Sequence, residues 1–335
     1  MTPIFFITGV QRSGTTLLSF ILANHPDIYL GDFSLGFRFI HALKTNYELV
    51  LPRNLHRSPE EILSRLIAHD YKGRLNKLIP EEQIKKISSI QQLLDQSLNQ
   101  KIKKTGSKYY GDKSPGLQAY LPELLMLIPK AKLIHIVRDG RATALSMKKR
   151  ARKHLLWSAQ HWVDSNLQAL QHQLILGEEQ MLIIQYEQLL RAPEKSIRKI
   201  CSFLNLEFHA AMLDLSQHQL TGGQNAYVKD RITSSKLEQN QGPLLQKLGY
   251  ELYQKHRKED FQPLSTGKKI LLNQWTNFRA IFRRTDIRME NWQLVEVRVP
   301  FRKRLGYFLR ILIYELLAKP IMFSLLYRKS KNLPD

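Results

Sequence analysis

Two kinds of hydrophobic pattern alternate along the first two thirds of this chain. Short, largely apolar blocks stand between longer stretches whose apolar residues recur every three or four positions. Ile4-Phe5-Phe6-Ile7, stopping at Gly9, is one block; Lys132 to Val137 and Met181 to Tyr186 are others, and Tyr109-Tyr110-Gly111 returns the chain to sheet. A block apolar at every position predicts a strand buried on both faces of a parallel sheet. Thr15 to Asn24, carrying Leu17, Leu18, Phe20, Ile21 and Leu22, predicts a packed helix closed by His25-Pro26-Asp27. Further helices are predicted up to about Leu127, from Gly140 to about His154, through Trp157 to Leu176, and from Pro193 to Leu204. Strands separated by helices imply βαβ units, so the predicted fold class is α/β with a central parallel sheet between helical layers.

The alternation is interrupted between residues 28 and 105. Residues 28–43, with Gly31 and Gly36, read as a strand end and a loop opening into a helix. Residues 44–105 read as a helical insertion. Ser58 is an N-cap with Pro59 at the first helical position, Pro80-Glu81-Glu82 repeats the device, and Ile90 to Ile102 has helical spacing. Such an insertion serves either as a lid over an acceptor or as a decorative helical hairpin. The predicted organisation is one domain over residues 1–265, insert included, followed by a basic helical extension over 266–335.

Charge adds a question that the pattern does not raise. The formal net charge is +22, and from Lys268 onward fifteen Lys/Arg face five acids. Such an excess attracts polyanions, anionic lipid headgroups or acidic substrates. Leu305 to Tyr327 is largely apolar, but Arg310, Glu315, Lys319 and Pro320 interrupt it, which argues against a membrane span. With Arg302-Lys303-Arg304 and Arg328-Lys329-Ser330-Lys331 on its flanks, the segment suits an interfacial helix on an anionic membrane surface, or a helix docked on the protein's own body. Cys201 is the single cysteine, which excludes a disulfide framework and a Cys-based zinc site and suits a reducing compartment. A strand beginning at Pro3 leaves no room for a leader, so the expected location is cytoplasmic, peripheral on the membrane if the last segment binds it.

The chemistry concentrates at two strand-to-helix corners. Gly9-Val10-Gln11-Arg12-Ser13-Gly14-Thr15-Thr16 has the glycine spacing of a nucleotide phosphate loop, where backbone N–H groups and a helix N-terminus bind an anion. An ATPase loop requires lysine after the second glycine; here Thr15 stands there, and the cation is Arg12. The second corner is Val137-Arg138-Asp139-Gly140-Arg141. Arg138 falls at the carboxyl end of its strand, where open α/β sheets bind ligands, and Ser146 and Arg150 lie four apart on the next helix. Arg138, Ser146 and Arg150 together suit one phosphate dianion. The bland alternatives are a turn that binds nothing and an Arg/Asp ion pair.

At these corners the sequence resembles the sulfotransferases that use 3′-phosphoadenosine-5′-phosphosulfate (PAPS), in particular the tyrosylprotein branch and its bacterial relatives. Arg12-Ser13-Gly14-Thr15-Thr16-Leu17 is similar to that branch's 5′-phosphosulfate loop, and Val137 to Arg141 with Ser146-Met147 to its 3′-phosphate motif; His25-Pro26-Asp27 and Tyr186-Glu187-Gln188-Leu189 also match, over residues 3–205. The resemblance implies a P-loop-like fold and a sulfuryl transfer from PAPS to a hydroxyl or amine of a small molecule, carbohydrate, lipid or peptide. It implies that Arg12, Ser13, Gly14, Thr15 and Thr16 hold the 5′-phosphosulfate, that Arg138, Ser146 and Arg150 hold the 3′-phosphate, and that Tyr186 lies against the nucleotide. Lys113, in Asp112-Lys113-Ser114-Pro115, matches a lysine near the transferring group. Charge stabilisation by Arg12, Lys113 and loop N–H groups is expected to serve without a metal ion. One position departs from the pattern. The family base is a glutamate of a pair after a glycine; here the stretch is Gly31-Asp32-Phe33-Ser34, with Phe33 in the matching place and Asp32 as the remaining carboxylate. Asp32 is the candidate base and His41 a remote one. The competing readings are a P-loop kinase or nucleoside triphosphatase, a basic nucleic-acid-binding protein, for which no recognition motif appears, and a fold retained without catalysis.

Overall fold

In the computed structural model, residues 3–30, 105–151, 153–216, 231–252, 285–290 and 293–298 are described, with isolated positions between 63 and 96. The strands and helices are β1 (Ile4–Gly9), α1 (Thr15–Ala23), β2 (Ile28–Leu30), α2 (Glu81–Ile84), β3 (Tyr109–Lys113), α3 (Leu121–Leu127), β4 (Lys132–Val137), α4 (Gly140–Ala151), α5 (Leu155–Leu176), β5 (Met181–Gln185), α6 (Tyr186–Arg191), α7 (Pro193–Leu204), α8 (Arg231–Lys247), β6 (Thr285–Glu290) and β7 (Gln293–Arg298). The α/β class is borne out. β1 to β5 form one parallel sheet in the order β2-β3-β1-β4-β5.

Alternation along β1 divides the core. Ile4 and Phe6 pack on one face with Leu133, Tyr110 and the α3 residues Leu121, Leu124 and Leu127. Phe5 and Ile7 pack on the other with Leu17, Leu18, Ile21 and Leu22 of α1 and Ile197, Ile200 and Leu204 of α7. Every residue of β1 is buried, as an unbroken apolar block requires. A third cluster joins Val10 and Val137, just past β1 and at the end of β4, to Met147, Trp162, Leu244 and Leu245. It brings α4, α5 and α8 together at the carboxyl end of the sheet.

Most element limits agree with the hydrophobic pattern, and α7 matches Pro193 to Leu204. His25-Pro26-Asp27 does close α1, through side-chain chemistry: His25 Nδ1 accepts from the Asp27 N–H at 3.0 Å, and His25 Nε2 lies 2.8 Å from the Glu207 carbonyl. The helix start at Pro80 is also present, since its carbonyl accepts from Gln83 and Ile84. Described positions of the insertion reach the core. Leu63, Ile79, Ile84, Ile87 and Leu93 are buried in the same cluster as Ile4 and Phe6. Two elements were not anticipated: α8, and the antiparallel hairpin of β6 and β7 inside the stretch expected to be a helical extension. There Ile287-Arg288-Met289 and Val295-Glu296-Val297 alternate apolar with charged residues, a strand period hidden by the general excess of basic residues. Asp32, Phe33, His41, the helix start at Ser58 and the segment Leu305 to Tyr327 lie outside the described residues. Among the described residues no helix is long and apolar enough to cross a membrane.

Candidate anion-binding site

β1, β3, β4 and β5 run parallel, so their carboxyl ends open on one side. In register, Ile7 is level with Lys113, Gly9 with Ile136, and Val137 with Gln185. The four strands therefore deliver the Arg12 loop, Lys113, Arg138 and Tyr186 to one rim, the place where open α/β sheets bind ligands.

The loop after β1 has the backbone features of an anion-binding turn. The Ser13 N–H donates to the Val10 carbonyl at 3.1 Å, and Gly14, at φ 105°, is the N-cap of α1 without a side-chain cap. The first N–H groups of a helix have no partner within it and carry its positive pole. Gly14 is required twice over. Its φ disfavours side chains, and a Cβ would fall 2.4 Å from Cδ2 of Tyr186. Inside the loop Ser13 is 1% exposed, and its buried hydroxyl has no hydrogen-bond partner among the described residues. A buried unpaired hydroxyl is costly, and an anionic oxygen satisfies it.

Arg12 takes a left-handed backbone, φ 74°, rare for a residue with a side chain and concentrated at functional sites. Its carbonyl accepts from Arg138 Nη1 at 3.3 Å, and its own Nε donates to Ser146 Oγ at 3.2 Å. The Arg138 guanidinium lies 4.7 Å from the centre of the Tyr186 ring, whose edge meets Gly14. Burial first, then the charges of Arg150 and Arg138, lower the Arg12 pKa from its ordinary value. Three cations whose fields oppose one another at one rim make a site that favours a strongly anionic guest. Arg12, Arg138, Ser146, Arg150 and Tyr186 are thus brought together. The sequence placed Arg12 with one anionic end and Ser146 with the other; the structure puts these two side chains in contact.

Lys113 is the last residue of β3, level with Ile7 of β1, and the turn that follows it is tied to the first corner. Ser114 N–H donates to the Ile7 carbonyl at 2.9 Å and Gly116 N–H to the Gly9 carbonyl at 3.0 Å, which ties this turn to the start of the phosphate loop. Asp112 is fully buried and accepts from Tyr110 Oη at 3.2 Å and from Ser114 Oγ, so two residues of the Asp-Lys-Ser-Pro motif hold the strand end that bears Lys113. Asp139 is engaged by Arg141 at 2.6 Å, so the ion pair weighed as the bland alternative does form, one residue beyond Arg138.

Sequence reasoning missed the residues that hold Arg138 in place. Trp162 Nε1 donates to the Arg138 carbonyl at 2.9 Å, and Glu187 accepts from the Asp139 N–H at 3.0 Å. Trp162 lies within the helix predicted through Trp157 to Leu176, and only the fold turns its N–H toward residue 138.

Compared with known families, residues 3–210 match the description "Sulfotransferase family". The chain belongs to the sulfotransferase family. The matched range holds every candidate site residue from Arg12 to Tyr186 and ends before α8. Among curated relatives, the chain is 29% identical over 219 residues to protein-tyrosine sulfotransferase 1 of Danio rerio, covering 63% of this chain and 55% of that one. It is 27% identical over 226 residues to protein-tyrosine sulfotransferase of Drosophila melanogaster, covering 63% and 40%. The chain spans about half the length of the curated relatives it matches. Among solved structures, a sulfotransferase domain from the curacin biosynthetic pathway aligns with a TM-score of 0.47 and 22% identity, over 75% of this chain and 99% of that one. The relatives named protein-tyrosine sulfotransferase bear out the relation to that branch read from the motifs.

Proposed function

We propose that this sulfotransferase moves a sulfuryl group from PAPS to a hydroxyl or amine of an acceptor. One observation carries the proposal: Arg12, Arg138, Ser146 and Arg150, drawn from two corners far apart in sequence, meet at the carboxyl rim of the sheet with Tyr186 as a flat wall. A nucleotide with anions at both ends of its ribose matches a cationic, aromatic-walled rim of this kind, and the unpaired Ser13 hydroxyl in an uncapped helix N-terminus fits an anionic oxygen. The curated relatives carry the name protein-tyrosine sulfotransferase, which supports the same reading. Thr15 in place of the ATPase lysine disfavours the triphosphatase alternative.

In this mechanism the acceptor oxygen or nitrogen bonds to sulfur as the bond from sulfur to the oxygen bridging it to the 5′-phosphate breaks. The acceptor loses a proton, and adenosine 3′,5′-bisphosphate leaves. The protein's part is positioning and charge stabilisation. Residues 12–16 hold the 5′ end; Arg138, Ser146 and Arg150 hold the 3′-phosphate; Tyr186 supports the nucleotide. Lys113 stabilises charge on the departing phosphate, and Asp32 takes the acceptor's proton, a contribution of about 10²- to 10⁴-fold for a general base.

Thermal unfolding tests the nucleotide: adenosine 3′,5′-bisphosphate raises the Tm and ATP at equal concentration does so much less. Transfer assays with PAPS test the roles. Arg12→Ala nearly abolishes turnover, whereas Arg138→Ala chiefly raises the KM for PAPS. Wild-type turnover in Arg12→Ala would remove that residue from the mechanism.

A further inference from the structure

The corner that bears Arg138 is braced by chain lying beyond the residues that match the family. We propose that Tyr250 and Glu238 are positioning residues for the 3′-phosphate contact, an inference that rests on the nucleotide reading above.

Two braces converge on residues 138 and 139. In the first, Glu187 accepts from the Asp139 N–H at 3.0 Å with one carboxylate oxygen and from the Tyr250 hydroxyl at 2.9 Å with the other. Tyr250 therefore sets the carboxylate that sets the peptide following Arg138. In the second, Asp139 accepts from the Arg141 N–H at 2.8 Å and from its Nη2 at 2.6 Å, while Arg141 Nη1 donates to Glu238 of α8 at 2.5 Å. Asp139, Arg141 and Glu238 are 2%, 5% and 0% exposed. Burial works against the Arg141 charge, but the hydrogen bonds and attraction of Asp139 and Glu238 outweigh it and raise its pKa above the ordinary value. α8 also presses on the intervening residue. A Cβ on Gly140 would fall 2.8 Å from Gln241 Nε2 and 2.8 Å from the Trp162 ring. With the Arg138 carbonyl held by Trp162, both peptides at this corner are fixed, and the guanidinium is left directed over Tyr186.

A buried ion triad is weak grounds for stability, because desolvation consumes much of its attraction. Its geometric effect is firmer: it fixes the backbone from which Arg138 projects. The braces should therefore matter most to a ligand that meets Arg138. Adenosine 3′,5′-bisphosphate has the 3′-phosphate and 5′-AMP lacks it; otherwise the two probes are alike.

Titration calorimetry on the full chain separates positioning from mere support. Tyr250→Phe removes one hydroxyl and is expected to weaken adenosine 3′,5′-bisphosphate about five- to tenfold, as loss of one well-formed hydrogen bond does, while 5′-AMP binds as before. Glu238→Gln is expected to show the same selectivity with a larger loss; if it fails to fold, Tyr250→Phe decides alone. Equal weakening of both nucleotides, or of neither, overturns the proposal. Should the wild-type chain bind the two equally well, the nucleotide reading falls and the proposal with it.

Discussion

At the scale of single residues, close approach explains the site better than residue type does. Gly14 permits the Tyr186 ring to lie on the phosphate loop, and Tyr186 in turn carries Arg138 above it. Gly14→Ala adds a Cβ at an unfavourable φ and 2.4 Å from the ring, so strain of about 1–3 kcal/mol is expected. The ring must move, and Arg138 with it. Titration calorimetry should then show affinity for adenosine 3′,5′-bisphosphate at least about tenfold weaker, a change of about 1.4 kcal/mol, with the chain still folded. Unchanged affinity would mean that the contact between Gly14 and Tyr186 does not shape the site. The glycine spacing was legible in the sequence; its partner, 172 positions away, was not.

At the scale of elements, the contact between β4 and α5 contains a titrating group. His135 is fully buried, with Nε2 2.9 Å from Asn166 Oδ1, so that nitrogen carries the proton and the ring is neutral. Burial lowers its pKa to about 4; the bond to Asn166 works in the opposite sense, and His172 adds to the lowering. Above the unfolded value of about 6.5 both states are neutral and His135 adds no pH dependence. As pH falls from there toward 4, the unfolded chain gains a proton that the folded chain refuses. Stability therefore drops across this window, by roughly 3 kcal/mol in total. The urea midpoint followed from pH 7 to pH 4 should fall less steeply in His135→Gln than in the wild type; parallel curves would exclude His135 as the cause. In sequence, His135 stands inside an apolar block and shows only that the strand tolerates a polar ring.

At the scale of the whole molecule, the sheet order places β1 between β3 and β4, with β2 and β5 at the ends. The amides of Phe5 to Ile7 should accordingly exchange at the rate of global unfolding, and those of β2 and β5 faster, as native-state hydrogen exchange can measure. Equal protection across the sheet would contradict a core centred on β1. Apolar runs and helical periods by themselves determined the parallel α/β class and most element limits in residues 3–205, because burial on two faces or one leaves a repeat that local sequence must obey. They also determined the loop of Arg12 and the corner of Arg138, whose backbone demands are met by adjacent residues. Only the tertiary structure decided that Arg12 touches Ser146, that Asp139 is occupied by Arg141, and that Glu238 and Tyr250 stand behind Arg138. Those contacts join positions more than sixty residues apart, apart from the local pair of Asp139 and Arg141. No period or motif records such a distance, since it is set by strand order and by how the helices seat on the sheet.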